Sequence, residues 1–227
     1  MTVYGDLEVS TLDELPKGRA PIKTFVAPII EKPSWQERIW ARVREEVAAG
    51  HQAYVVCPRI GGDEPDEPVE DPDELEDVEE EDEKRPPLAV LDVAPQLMEH
   101  ELSGLRVEML HGRMTPDAKD AVMRAFVAGE VDVLIATTVV EVGVDVPNAT
   151  AMVILDADRF GVSQLHQLRG RVGRGDAPSL CLLVTETGPY APARDLLAPL
   201  SATSDAFELS ELDLEHRREG TSLGEQQ

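Results

Sequence analysis

The chain has no run of eighteen apolar residues and no basic-then-apolar leader. A helical membrane span needs about twenty consecutive apolar residues, and a secretory signal needs that charged-then-apolar order. Neither is expected, and a cytoplasmic location is. Cysteine is nearly absent: Cys57 and Cys181 stand alone, without a C-x-x-C pairing, each inside an apolar, strand-like run. They read as small buried hydrophobes in a reducing compartment, with no metal or redox role. Positive charge is scarce as well. Lys and Arg number 21 against 45 Asp and Glu, for a net charge of −24. A nucleic-acid-binding surface is usually basic, so the deficit matters. Most of it is local: from Asp63 to Glu83 there are fifteen acidic residues and no basic one, leaving −9 for the remainder. With Pro65, Pro68 and Pro72 and almost no large apolar side chain, residues 61–87 are expected to form a disordered, self-repelling insertion. It reads as a solvated loop, with an interaction tail or a mimic of DNA charge as the alternatives. Finally, no G-x-x-x-x-G-K-[ST] phosphate loop occurs, and no DExx box is placed to hold magnesium.

What is present suits one domain with extensions, since 227 residues can bury a sizeable core. Residues 1–32 mix short apolar runs with Pro16, Gly18, Pro21 and Pro28, an extended connector with a strand at Ile22–Pro28. Ser34-Trp-Gln-Glu37 matches a capping box, and Trp35, Ile39, Val43 and Val47 then recur every four residues up to Gly50. Trp35 and Trp40 are expected in the core. Ala53–Cys57 reads as a strand, Leu88–Leu102 as a helix burying Val90, Leu91, Ala94, Leu97, Met98 and Leu102, and Arg106–Leu110 as a strand. Thr115-Pro116 caps a helix running to Gly129. Strands follow at Val131–Ala136, Ala151–Leu155 and Leu180–Thr185, with helices at Ala193–Leu200 and Asp205–Arg218. This alternation predicts an α/β fold, a parallel sheet covered on both faces by helices, over residues 33–188. A helical extension, 189–227, follows it.

The informative stretch runs from Val131 to Gly175. After the strand at Val131–Ala136 come Thr137, Thr138 and Glu141-Val-Gly-Val-Asp145, a polar loop expected at the strand's carboxyl end, the edge where open α/β sheets bind ligands. Ser163 is a plausible N-cap for the next helix. Gln167-Leu-Arg-Gly-Arg-Val-Gly-Arg174 then packs arginines and glycines together. Arg171 and Arg174 are three apart and would share one helix face, with Arg169 nearly opposite. Two co-facing guanidiniums make a fork suited to phosphate oxygens. The bland alternative is a basic helix end that complements its own dipole. His111 and Arg113 lie between a strand's end and a helix start, a natural place for phosphate contact, although a structural histidine fits equally well on these residues alone.

TTVVEVGVDVP resembles motif V, and QLHQLRGRVGRG motif VI, of the superfamily 2 helicases. The longer string HGRMTPDAKDAVMRAFVAGEVDVLIATTVVEVGVDVPNA resembles the second motor lobe of the RecG family of ATP-dependent DNA helicases. The opening MTVYGDLEVSTLDELPKGRAPIKT is similar to that family's segment between its two motor lobes. The acidic insertion is a departure from the pattern. The resemblance implies a RecA-like lobe, 1–32 being an inter-lobe connector and 189–227 a truncated helical extension whose tail, EGTSLGEQQ, resembles the start of the segment that couples nucleotide state to movement. It implies ATP and Mg2+, both held mainly by a first lobe that this sequence lacks, so the chain alone is not expected to hydrolyse ATP efficiently. Arg171 and Arg174 would be catalytic arginine fingers, and Gln167, Gly143 and Asp145 would lie on the nucleotide side. Thr137, Thr138, His111 and Arg113 would contact DNA. The implied partners are branched DNA, the first lobe and a junction-recognition domain, and the implied work is remodelling stalled forks and Holliday junctions in recombination and repair. Two readings stay open beside it: a transcription-repair translocase lobe, which shares HQLRGRVGR but not the opening, and a non-catalytic module that keeps only the fold.

Overall fold

The computed structural model describes residues 22–62, 86–137 and 145–201. Residues 1–21 of the expected 1–32 connector, the acidic run Asp63–Glu83 and the helix expected at Asp205–Arg218 lie outside them, whereas Ile22–Pro28 of that connector belongs to the sheet itself, paired with Ser179–Thr185. Six apolar runs form strands: β1 (Ile22–Pro28), β2 (Gln52–Cys57), β3 (Val107–Leu110), β4 (Val133–Thr137), β5 (Ala149–Ile154) and β6 (Ser179–Thr185). They make one sheet in the order β1-β6-β5-β2-β4-β3, every pairing parallel. Strands β2, β4 and β5 are buried along their whole length. That is why they read as continuous apolar runs rather than as alternating ones.

Parallel neighbours need crossovers, and helices lie in the connections β1–β2, β2–β3, β3–β4 and β5–β6, with one more after β6. These are α1 (Ser34–Ala48), α2 (Val90–Glu99), α3 (Pro116–Val127), α4 (Val162–Arg169) and α5 (Pro192–Leu197). Trp35, Ile39 and Val43 of α1 and Val90, Ala94 and Leu97 of α2 pack with Val55, Ile135 and Val153 on one face of the sheet. Met123 and Phe126 of α3, Leu165 and Leu168 of α4 and Leu197 of α5 pack with Tyr54, Leu134 and Met152 on the other. Successive strand residues thus feed opposite layers, as a pleat requires.

Several local expectations change. Ser34 is the first residue of α1 rather than its cap; Pro33 holds that position and no side chain caps the helix, so the capping box is not formed. The helix is held instead by burial of Trp35, Ile39, Trp40 and Val43. Helix α2 is shorter than Leu88–Leu102. The Leu88 N–H donates to the Asp156 carboxylate at 2.7 Å, and Ala89 bridges Arg59 as an isolated parallel pair, so the helix begins only at Val90. Leu102 is buried but lies beyond its end, and Leu91 and Met98 are only half-buried. Thr115 does cap α3, its hydroxyl accepting from the Ala118 N–H at 3.3 Å, with Pro116 in the first turn.

Cys57 and Cys181 are both buried, and burial pushes each thiol up to about 12. The thiolate is the reactive form. Neither should therefore react with a thiol reagent at pH 8 in the folded chain, and both should react in denaturant, as mass spectrometry would show. Fast labelling of the native chain would contradict this burial. Among the described residues no helix is long and apolar enough to cross a membrane.

Candidate functional site

The residues singled out above gather into two places. The first is the carboxyl edge of β3 and β4. Leu110 pairs with Ala136, so the next residues, His111 and Thr137, emerge beside each other. Thr137 is 2% exposed, and both its hydroxyl oxygen and the Nδ1 of His111 are buried without a hydrogen-bond partner. Both atoms lie at the carboxyl edge of the sheet, His111 directly after β3 and Thr137 at the end of β4. Burial, then Arg113 and Lys119, depress the His111 pKa, so the ring is neutral at pH 7. Stability should accordingly fall as pH drops below the ordinary histidine value of about 6.5, because the unfolded ring takes up a proton before the folded one does.

Arg113 has a different setting. Its Nη1 donates to the Gly61 carbonyl oxygen, tying it to the turn that follows β2. That turn is zipped to the start of α2 by Val90 N–H to Arg59 O (2.9 Å) and Leu91 N–H to Ile60 O (3.0 Å). Gly61 has φ +90°, and a Cβ there would sit 2.7 Å from that of Ala89, so only glycine fits. Thr138 lies outside the described residues.

The second place is the turn after α4. The sequence spacing predicted a helix through Arg174, but α4 ends at Arg169 and Gly170 is its C-cap. Gly173 then takes φ +72°, so Arg171 and Arg174 are presented by a turn rather than along a helix face. Ser163 is not the N-cap either. Gly161 is, and its N–H donates to the Gln164 side chain at 3.3 Å. Gln167 is exposed on α4. The turn is pinned by Val172, 1% exposed within the core layer of Leu165 and Leu168. It is pinned again at Gly175, where a Cβ would come 2.6 Å from the Pro147 carbonyl oxygen. Arg174 donates from Nε to the Gly170 carbonyl (2.8 Å), and its Nη1 meets the Asp145 carboxylate at 2.5 Å. The pair is open to solvent, with Arg174 26% and Asp145 54% exposed. Gly143 lies outside the described residues.

This corrects one expectation. Asp145 stands just ahead of the first residue of β5, at the amino edge of the sheet, not at the carboxyl edge where β4 ends. The reason is topological: a chain leaving one parallel strand must return to the starting edge before the next begins. Motif-like residues on either side of 138–144 are therefore divided between opposite edges. Tyr54, 4% exposed on β2, is a buried polar side chain that sequence reading passed over; burial pushes its phenol up to about 12. A lone tyrosine inside an otherwise apolar strand was the available signal. The donors suit phosphate oxygens; among the described residues no three His, Cys, Asp or Glu side chains group as a metal site.

Residues 84–176 match the helicase conserved C-terminal domain. The chain is 52% identical, over its whole length, to the ATP-dependent DNA helicase RecG of Mycobacterium tuberculosis (strain ATCC 25618 / H37Rv), and covers 29% of that protein. It belongs with the C-terminal lobes of RecG-type superfamily 2 helicases. Against the RecG of Bacillus subtilis (strain 168) the identity is 44%, again over all of this chain and 30% of the relative. A solved structure of RecG bound to a three-way DNA junction superposes with a TM-score of 0.61 at 34% identity, covering 89% of this chain and 23% of that one. The chain thus spans about three tenths of the length of the curated relatives it matches. The RecA-like, all-parallel sheet expected from the motifs is the observed one.

Proposed function

We propose that this lobe is the second half of an ATP-driven motor that translocates on double-stranded DNA and remodels branched DNA in recombination and repair. The observation that carries the reading is the Arg174–Asp145 ion pair, which joins the two motif-like segments at one edge of the sheet. ATP, with Mg2+, supplies the free energy and is held mainly by a first lobe facing that edge. Arg171 and Arg174 reach over from the turn after α4 and stabilise charge on the transferred phosphoryl group. Gln167 and Asp145 line the same side. A half-exposed pair of this kind contributes about 1 kcal/mol or less. Arg174 can therefore exchange Asp145 for a phosphate at little cost.

At the opposite edge Thr137, His111 and Arg113 face the DNA backbone. Such contacts set position along the duplex and carry no sequence information. Thr137 and neutral His111 would act as hydrogen-bonding groups and not as charges. Thr137→Val should weaken DNA binding about fivefold, the worth of one neutral hydrogen bond, equally for all sequences. The slope of log K against log salt should stay unchanged, since no phosphate charge is lost. A changed slope would show that the site works by charge instead.

The motor reading is tested with a two-lobe protein carrying this chain and a labelled three-way junction. Conversion of the junction should require ATP hydrolysis. The variant Arg171→Ala/Arg174→Ala should still bind the junction and leave it unconverted. Equal conversion by the variant would overturn the assignment.

A further inference from the structure

We infer that the cleft between α1, α2 and the carboxyl ends of β5 and β6 binds an aliphatic polyamine, its carboxylates taking the ammonium groups and its apolar surface the carbon chain. The cleft holds about 190 Å³. It lies at a switch point of the sheet. β5 and β2 are neighbours, yet β5 leads into α4 on one face and β2 into α2 on the other. Chains that part in this way leave a crevice at the carboxyl ends of the strands, where open α/β sheets take their ligands. Leu155 and Asp156, which follow β5, and Glu186, which follows β6, line it. Arg44 of α1 donates to the Glu101 carbonyl oxygen (2.8 Å) and to that of Ser103 (2.7 Å), fastening α1 to the chain that follows α2. Asp156 is 2% exposed and accepts from the Leu88 N–H at 2.7 Å. Its φ of +49° is the one positive value at a non-glycine among the described residues. Such a conformation is held only where its surroundings over-determine it, as they commonly do at ligand sites.

The lining decides the class of ligand. Glu101, Asp156 and Glu186 bring three carboxylates, and none of the described lining residues is a lysine or an arginine. A cleft lined by charge of one sign concentrates the opposite sign, so a cation is favoured and a phosphate is not. Each carboxylate has about four lone-pair sites, so bonds already made within the chain leave capacity for an ammonium. Trp40 of α1 and Leu97 of α2 add apolar surface, which a methylene chain covers and a hydrated metal ion does not. Because the carboxylates come from the end of α2 and from two strand ends, ammonium groups spaced along one carbon chain match them better than a single ammonium. Occupancy would also place positive charge on a chain of net charge −24, at the sheet edge that holds Thr137 and His111.

The test titrates the full, isotope-labelled chain with spermidine and follows the tryptophan indole N–H signals by NMR. The chain has two tryptophans, and only Trp40 lines the cleft, so Trp35 serves as the internal control. Spermidine should shift the Trp40 signal to saturation and leave that of Trp35 in place. Butanediol, a neutral carbon chain, and Mg2+ at matched ionic strength should shift neither. The acidic run Asp63–Glu83 also attracts polyamines, and that attraction would persist once the carboxylates of the cleft are removed. Glu101→Gln/Glu186→Gln should therefore raise the concentration for half-saturation of the Trp40 shift about tenfold, the worth of a charge-assisted contact. A Trp35 signal at its parent position in that variant shows that the fold is kept. Equal shifts of both indoles, a Trp40 shift of the same size with Mg2+, or an unaltered half-saturation in the folded variant would overturn the inference.

Discussion

Replacing Arg171 or Arg174 by alanine in the two-lobe protein is expected to lower DNA-stimulated ATP hydrolysis by about 10³-fold or more, the range in which arginine fingers act. The size follows from where the charge would be needed. A guanidinium facing the transferred phosphoryl group is used in the transition state far more than in the ground state, so its loss should appear in kcat. The structure also limits the competing explanation that the variants unfold. Asp145, the carboxylate partner of Arg174, is 54% exposed, so removing the arginine strands no buried charge. The lost pair is worth about 1 kcal/mol or less to the fold. Arg171 and Arg174 project from a turn whose anchorage comes from Val172 and Gly175, which both variants keep. Lysine should not rescue either position, because a point charge does not reproduce the planar fork. Asp145→Asn should have a much smaller effect, since it removes a competitor for Arg174 along with any nucleotide contact. Hydrolysis within a few-fold of the parent in both alanine variants would sink the assignment.

The largest loss of stability from one substitution is expected at Phe126. Its side chain is fully buried in α3, and its ring supports that of Tyr54 at 5.0 Å. Its carbonyl accepts from the Gln52 side chain at 2.7 Å, which also donates to the Val131 carbonyl at 2.6 Å. Phe126→Ala should therefore cost roughly 3–5 kcal/mol, the lost transfer of the ring plus the cavity that remains. Urea denaturation would read this as a lower midpoint with an unchanged slope. A cost below about 1 kcal/mol, the level of an ordinary surface change, would mean that this layer is not close-packed.

How much of this was legible beforehand differs between elements. β1 coincides with the strand read at Ile22–Pro28, although pairing with β6 makes it part of the sheet rather than of a connector; the Thr115-Pro116 start of α3 formed as read, because a cap depends on neighbouring residues alone. The serine caps at Ser34 and Ser163 did not. Each serine lies inside its helix, one residue past the cap at Ser34 and two past it at Ser163, and tertiary burial of Trp35 and Ile39, or of Leu165 and Leu168, decides where those helices begin. The arginine segment failed for a related reason. A spacing of three suggests a shared helix face, but Gly170 and Gly173 let the chain turn out of the helix so that Val172 can reach the core.

Composition and apolar rhythm were enough to specify an α/β chain with a buried parallel sheet, because burial on both faces leaves a signature in every central strand. The motif residues could likewise be named from their order along the chain. Their grouping in space could not. Thr137 and Asp145 are eight positions apart, yet they fall at opposite edges of the sheet, the first beside His111 and the second against Arg174. Only the closed fold separates the edge that holds Thr137 and His111 from the edge that holds Asp145 and Arg174. Strand direction and crossover, which no local pattern encodes, set which edge each residue reaches.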